Sequence, residues 1–196
     1  MLAVCAVTIM GLMAGSHSAS TACNNTVHPP VLDHFAGRWT LVAGSLSHSP
    51  AMEALKLRDS ITIYISNSSN PSTAAYTQIN RFQDECQYLY YNISAVGSDF
   101  TFDVENRFNL TGTFFHMSCS DCIVMKWVVE SKKRNSFELY LLSRRKQVEV
   151  EVMEEFKAQL ECNNLPAPVV MDSTKEVCPE EPVRPTAAVQ PQVTTN

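Results

Sequence analysis

Between Arg38 and Arg144, apolar and polar side chains alternate in short runs rich in β-branched and aromatic residues, broken by clusters of Asn, Ser, Gly and Pro. Eight such runs are legible, at 38–47, 59–66, 74–84, 86–95, 98–105, 110–117, 122–131 and 136–144. Alternation at period two sends successive side chains to opposite faces of a strand. Regular short strands separated by turn signals specify a sandwich or a barrel. Most junctions are only a few residues long, as in Ser131-Lys132-Lys133-Arg134-Asn135, which suits up-and-down hairpins better than Greek-key crossovers.

The same alternation assigns faces. Ile123, Met125, Trp127 and Val129 share one side of the seventh run, with Lys126 and Glu130 opposite. Phe100, Phe102 and Val104 group in the fifth, and Ile61, Ile63 and Ile65 in the second. The fourth run has no polarity of its own, but a glycan on Asn92 would turn Gln87, Leu89, Tyr91 and Ile93 inward. Phe115 is placed inward and His116 outward by the same rule. Residues 147–152 alternate like a strand, after which Met153, Phe156 and Leu160 recur at helical spacing; a helix is expected from about Glu149 to Cys162.

Composition narrows the class. Basic residues number 15 and acidic residues 20, and the net charge of −5 gives no electrostatic footprint for nucleic acid or an anionic membrane. Residues 2–13 are apolar and uncharged and are followed by small residues, the pattern of a secretory signal covering 1–18. That run is shorter than the ~20 apolar residues a membrane span requires, so no membrane anchor is expected. Residues 19–178 then form one domain, and 179–196, with four prolines and no aromatic residue, a disordered tail. Export makes the six remaining cysteines disulfide candidates: Cys23, Cys86, Cys119, Cys122, Cys162 and Cys178. Sequons at Asn24, Asn67, Asn92 and Asn109 point to a glycoprotein.

Phe35-Ala36-Gly37-Arg38-Trp39-Thr40 resembles the G-x-W motif that opens the first strand of lipocalins. Leu141-Leu142-Ser143-Arg144 closes the eighth run where that family places an arginine on the motif tryptophan. Ser120-Asp121-Cys122 matches the family's T-D-Y in part, with Cys in place of Tyr. Glu154 to Cys162 with Asn164-Leu165-Pro166, and also Asp84-Glu85-Cys86 and Glu176-Val177-Cys178-Pro179, are similar to the alpha-1-acid glycoprotein and apolipoprotein M subgroup. Within it the sequence looks nearest to the fish branch of tributyltin-binding and saxitoxin- and tetrodotoxin-binding proteins.

The resemblance implies an all-β fold: an eight-stranded antiparallel up-and-down barrel with one C-terminal α-helix packed outside. It implies a structural role for Gly37, Trp39 and Arg144, with Arg145 as the alternative if the register slips. It also implies the disulfides Cys23–Cys162 and Cys86–Cys178. Cys119 and Cys122 are left to bridge each other or to act as a redox pair, and their place at a strand turn favours the bridge. Zinc lacks a second pair of ligands, and no metal or cofactor is expected.

On this reading a secreted monomer carries a small hydrophobic ligand without changing it. The calyx would be lined by Ile63, Tyr76, Gln78, Leu89, Tyr91, Phe102, Val104, Phe115, Met125, Trp127, Tyr140 and Leu142. Apolar walls with a few phenols and an amide suit a lipophile bearing one or two polar atoms. Arg58 is the only basic residue placed at the mouth, which favours neutral or weakly cationic ligands. Two rival functions remain: an immunomodulatory glycoprotein acting through a protein partner, and a lipocalin isomerase using a free Cys122 thiol. No Ser-His-Asp or paired-carboxylate arrangement supports other catalysis.

Overall fold

The structure, a computed structural model, describes residues 32–102 and 109–180. The expected signal segment, and the expected tail beyond Glu180, lie outside the described residues. A 3-10 turn at Leu32–Phe35 leads into eight antiparallel strands in hairpin order. They are β1 (Gly37–Leu46), β2 (Ser60–Asn67), β3 (Thr73–Phe82), β4 (Glu85–Val96), β5 (Asp99–Phe102), β6 (Asn109–His116), β7 (Cys122–Glu130) and β8 (Asn135–Ser143). Their ends fall within one or two residues of the alternating runs; the expected end of the fifth run lies outside the described residues.

Closure is made by β1, which pairs with β2 along its first half and with β8 along its second. A register shift between Leu41 and Ala43 marks the change of course. Where β2 diverges, β9 (Val169–Val170) pairs with Ala43 and Gly44 and covers the edge that β1 would otherwise expose. Two residues cannot show a period, so this strand has no sequence signature.

Apolar side chains form two layers. One fills the barrel, with Trp39, Ile65, Ile93, Phe100, Phe114 and Met125 among its members. The other lies outside it: Val42 and Ala43 of β1, Val124 of β7, and Leu139 and Leu141 of β8 are covered by Val152, Phe156 and Leu160 of α2 (Val150–Cys162). This wall is therefore buried on both faces, and its strands are apolar on both.

The start of α2 is set by charge. Its N-cap, Glu149, makes no side-chain capping bond. Instead the Arg145 guanidinium donates to both Glu149 carboxylate oxygens, at 2.6 and 2.9 Å, and to Asp121 at 2.6 and 3.2 Å. These bonds from Arg145 hold the Glu149 carboxyl down at about 2, against an ordinary 4.5. A carboxyl depressed on folding stabilises the fold above its unfolded pKa and loses that contribution as pH falls through its folded one. The start of α2 is thus expected to loosen between about pH 4.5 and 2. Amide exchange of Met153, whose N–H donates to the Glu149 carbonyl, checks this against pH, and Arg145→Gln should remove the pH dependence there.

A second helix, α1 (Ser49–Lys56), sits in the β1–β2 connection, where the sequence pattern showed only a loop. The His48 ring nitrogen accepts from the Ala51 amide, Pro50 occupies the first turn, and Met52 and Leu55 are buried against the barrel. Eight residues are too few to show a helical period, and packing rather than propensity holds the segment. The tail runs across the outer face of β2–β4. It is fixed by the Cys86–Cys178 disulfide and by hydrogen bonds from Ser60 Oγ to the Glu176 carbonyl and from Tyr88 Oη to the Pro179 carbonyl, both 2.9 Å.

Candidate functional site

The closed end is built around Trp39. Its indole N–H donates to the Phe35 carbonyl at 2.7 Å, and the Arg144 guanidinium lies 3.7 Å from the ring centroid. Arg144 also donates to the carbonyls of Arg38 (2.8 Å) and Ala36 (2.7 Å), tying the start of β1 to the end of β8. Gly37, at φ 98°, is left-handed, and a Cβ there would come within 3.0 Å of the Arg144 guanidinium. The resemblance assigned Arg144 to the tryptophan, with Arg145 in its place only if the register slipped. Arg144 stacks on the tryptophan, and Arg145 serves α2. Lysine at 144 keeps the charge but loses the planar stack and the two-pronged bonding, at an expected cost of about 1–2 kcal/mol. A thermal melt should show a fall of about 2–8 °C.

Above Trp39 the barrel is solid. Phe35 stacks on Phe114 (3.8 Å) and Phe114 on Phe100 (4.5 Å), while Phe100 meets Trp127 edge-on (5.0 Å). Phe102 then contacts Trp127 (4.8 Å) and Tyr76 (4.9 Å). Such ring pairs contribute about 0.5–1.5 kcal/mol each beyond their buried area. They also form a rigid floor.

The half of the barrel above that floor is hollow. The cavity has a volume of about 350 Å³, at the small end of the range for ligand pockets. Ile63 of β2, Tyr76 and Gln78 of β3, Leu89 and Tyr91 of β4 and Phe102 of β5 line it, with Met125 and Trp127 of β7 and Tyr140 and Leu142 of β8 opposite. Val104 lies outside the described residues, and the side chain of His116 is likewise not described.

Phe115 is a correction. Its side chain packs in the outer layer beneath α2, and Phe114 takes the inward place, 1% exposed. Register decides the matter: Phe114 is the cross-strand partner of Met125, and directly opposed residues share a face. Leu110, with the parity of Phe114, lines the cavity. Two adjacent phenylalanines on a strand buried on both sides offer alternation nothing to distinguish.

The mouth is more polar than the sequence reading allowed. Besides Arg58, the side chains of Arg134 and Glu138 line the cavity. Glu138 is 4% exposed; its carboxylate pairs with Arg134 and accepts from the Tyr140 hydroxyl at 2.6 Å. Burial pushes the Tyr140 phenol far above its ordinary pKa, against the pull of Arg134 and Arg58, so it remains a donor at neutral pH. Burial likewise raises the Tyr76 phenol. Burial lowers the Arg58 guanidinium, with Tyr140 opposing and Arg134 adding to the shift. Glu138 did carry a signal: it shares the parity of Tyr140 and Leu142, which were placed inward. Arg134 lies in the β7–β8 turn and carried none.

On the opposite wall Tyr76, Gln78, Asn80 and Gln87 form a one-directional ladder. Tyr76 Oη donates to Gln78 (3.4 Å), Gln78 to Asn80 (2.8 Å) and Asn80 to Gln87 (3.1 Å). Asn80 is fully buried, and the ladder satisfies its amide inside an apolar barrel.

Cys86 and Cys178 are bonded, as are Cys119 and Cys122. Cys162 is disulfide-bonded; its expected partner, Cys23, lies outside the described residues. Cys119, Asp121 and Cys122 lie close together, but the two sulfurs are bonded to each other and Asp121 is held by Arg145. Cys122 packs in the layer beneath α2, away from the cavity. Asn109 is exposed and Asn92 half-buried on the outer wall; Asn24 and the Asn67 side chain lie outside the described set. No helix among the described residues is long and apolar enough to cross a membrane.

An ApoM domain model matches residues 11–181. No curated protein matches the chain. Among solved structures, the siderocalin Ex-FABP, reported to function through dual ligand specificities, is similar at 15% identity and a TM-score of 0.64, over 78% of this chain and 99% of that one. Lipocalin 12 from rat epididymis is similar at 15% identity and a TM-score of 0.67, over 79% of this chain and 94% of that one. At that identity the two structures share the fold: a closed eight-stranded barrel with a helix outside.

Proposed function

The chain belongs to the ApoM domain family, and from that premise we propose that it is a secreted carrier that holds one small lipophilic molecule in the upper half of its barrel. The observation that supports this most is the division of the barrel into a solid aromatic base and a hollow of about 350 Å³ above it. A core that only needed filling would continue to the mouth. The walls are mostly aliphatic and aromatic, so the driving force is burial of the ligand's apolar surface, about 0.8 kcal/mol per methylene before association costs. Of the residues lining the hollow, we assign ligand contact to Ile63, Tyr76, Gln78, Leu89, Tyr91, Phe102, Met125, Trp127, Tyr140 and Leu142. Val104 is proposed as a further contact from its alternation with Phe102.

Disulfides at Cys86–Cys178 and Cys119–Cys122, together with the apolar leader, support export through an oxidising compartment. The accessible sequons at Asn92 and Asn109 support a glycoprotein. The nearer kinship with alpha-1-acid glycoprotein and the fish toxin- and organotin-binding proteins rests on the residues quoted for it. A thiol isomerase is disfavoured: the Cys122 sulfur is bonded and lies outside the barrel.

Trp127 reports on the cavity and Trp39 on the base, so a bound ligand should quench the first. Titration with a panel of steroids, retinoids, basic drugs and organotins is expected to give saturable quenching by at least one class. At a hundredfold excess over Kd the ligand should add about 2.7 kcal/mol of stability. Absence of both responses across the panel would overturn the carrier reading.

A further inference from the structure

We infer that Gly44 sets the width of the hollow, and that by lacking a side chain it admits a ligand with a broad, rigid body rather than only a slender chain. This rests on the carrier reading and names a specificity-determining residue of the same site. Three elements meet on Gly44. On one edge of β1 it is the cross-strand partner of Tyr140 of β8, and on the other of Val169 of β9. Leu55 of α1 lies over it. Gly44 is buried and shares the parity of Leu46, which lines the cavity, so its missing side chain would point inward.

A glycine inside a strand marks a place where another group comes close to the backbone. Here two do. A Cβ on residue 44 would stand 2.8 and 3.1 Å from Cδ1 and Cε1 of the Tyr140 ring, and 3.1 Å from Cδ2 of Leu55. Both side chains line the hollow. Without that Cβ they lie back against β1, and the space they would otherwise take is left to the ligand. Neither has another way to yield. The Tyr140 hydroxyl is tied to Glu138 at 2.6 Å, and Leu55 is 1% exposed. The segment that carries Leu55 is also pinned at both ends. Before α1, Ser47 exchanges hydrogen bonds of 2.9 and 2.8 Å with the Phe137 backbone; after it, the Asp59 N–H donates to the Arg81 carbonyl at 2.9 Å. A methyl at position 44 therefore drives Tyr140 and Leu55 into the hollow. A straight chain threads a narrowed space, whereas a cage or fused-ring body needs its full width.

The test uses 1-adamantanol and 1-decanol, which have the same carbon count and one hydroxyl each and differ in shape. Both should bind the full secreted chain in calorimetry. The ratio of their affinities is the quantity read, because a loosened barrel lowers both alike. Gly44→Ala should lower adamantanol binding relative to decanol by at least about tenfold, the lower end of the effect of one methylene in an apolar pocket. Leu55→Ala in that background should return most of the loss by making room for the methyl. Leu55→Ala alone, which leaves β1 untouched, should move the ratio the other way. An unchanged ratio in Gly44→Ala, or in Leu55→Ala alone if the first variant does not fold, overturns the inference and leaves the carrier reading standing. So does a loss that Leu55→Ala fails to reverse, or binding of decanol without adamantanol by the unsubstituted chain. If neither alcohol binds that chain, the result counts against the carrier reading, and a crystal structure of Gly44→Ala decides the steric claim alone. Tyr140 and Leu55 displaced into the hollow uphold it; unmoved side chains overturn it.

Discussion

Alanine at both Cys86 and Cys178 is expected to be the most damaging change considered, lowering stability by about 4–5 kcal/mol on the chain-entropy account. The bridge spans 92 residues, from the start of β4 to the segment that follows β9. Its loss lets the unfolded chain explore the conformations that this long loop forbids. In the folded state the tail would keep the hydrogen bonds from Ser60 and Tyr88, and Arg81 would keep its ion pair with Glu176, so β2–β4 should stay covered. The melting temperature should fall by roughly 10–15 °C. The internal control is the other bridge. Cys119 and Cys122 are three residues apart, and the same account assigns that short loop about 1.5 kcal/mol. Melts of the two double-alanine variants side by side decide the matter: equal losses would refute an origin in loop entropy.

Alanine at Gly112 is the second. Gly112 faces Phe100 across the β5–β6 ladder, and a Cβ there would stand 2.2 to 2.7 Å from three carbons of that ring. A ring at the surface would swing away. This one is fully buried, stacked on Phe114 and wedged against Trp127. Overpacking of a filled core costs about 1–3 kcal/mol, and the upper part of that range is expected here. Moving Phe100 also moves Trp127 and Phe102, the floor of the cavity, so ligand affinity should fall with stability. Phe100→Leu in the Gly112→Ala background should restore part of both, giving a coupling of at least about 1 kcal/mol in a double-mutant cycle. Strict additivity would mean that the ring is not the obstacle.

These two sites differ in how visible they are beforehand. The cysteine pair was assigned through the resemblance. Gly112 gave no warning, because its importance is a cross-strand relation: a glycine in one strand makes room for a ring from the next. The same distinction runs through the candidate site. Ile63, Tyr76, Leu89, Phe102, Met125 and Trp127 were placed inward by parity, and each lines the hollow. Parity failed at Phe114 and Phe115, where α2 makes the outside of the wall as apolar as the inside. It was not carried far enough at Glu138, whose inward place follows from that of Tyr140 and Leu142.

The amino-acid sequence by itself determined the strands, their hairpin order, the helix over 150–162 and most of the side chains that face inward. These follow from local periodicity, and a period of two is a property of neighbouring residues. Only the tertiary structure decided how deep the filled base reaches, that Arg144 rather than Arg145 stacks on Trp39, and that two arginines and a glutamate meet at the mouth. These depend on register, closure and the packing of α1, α2 and the tail, which bring together residues far apart in the chain. A one-residue slip in any of them exchanges inside for outside.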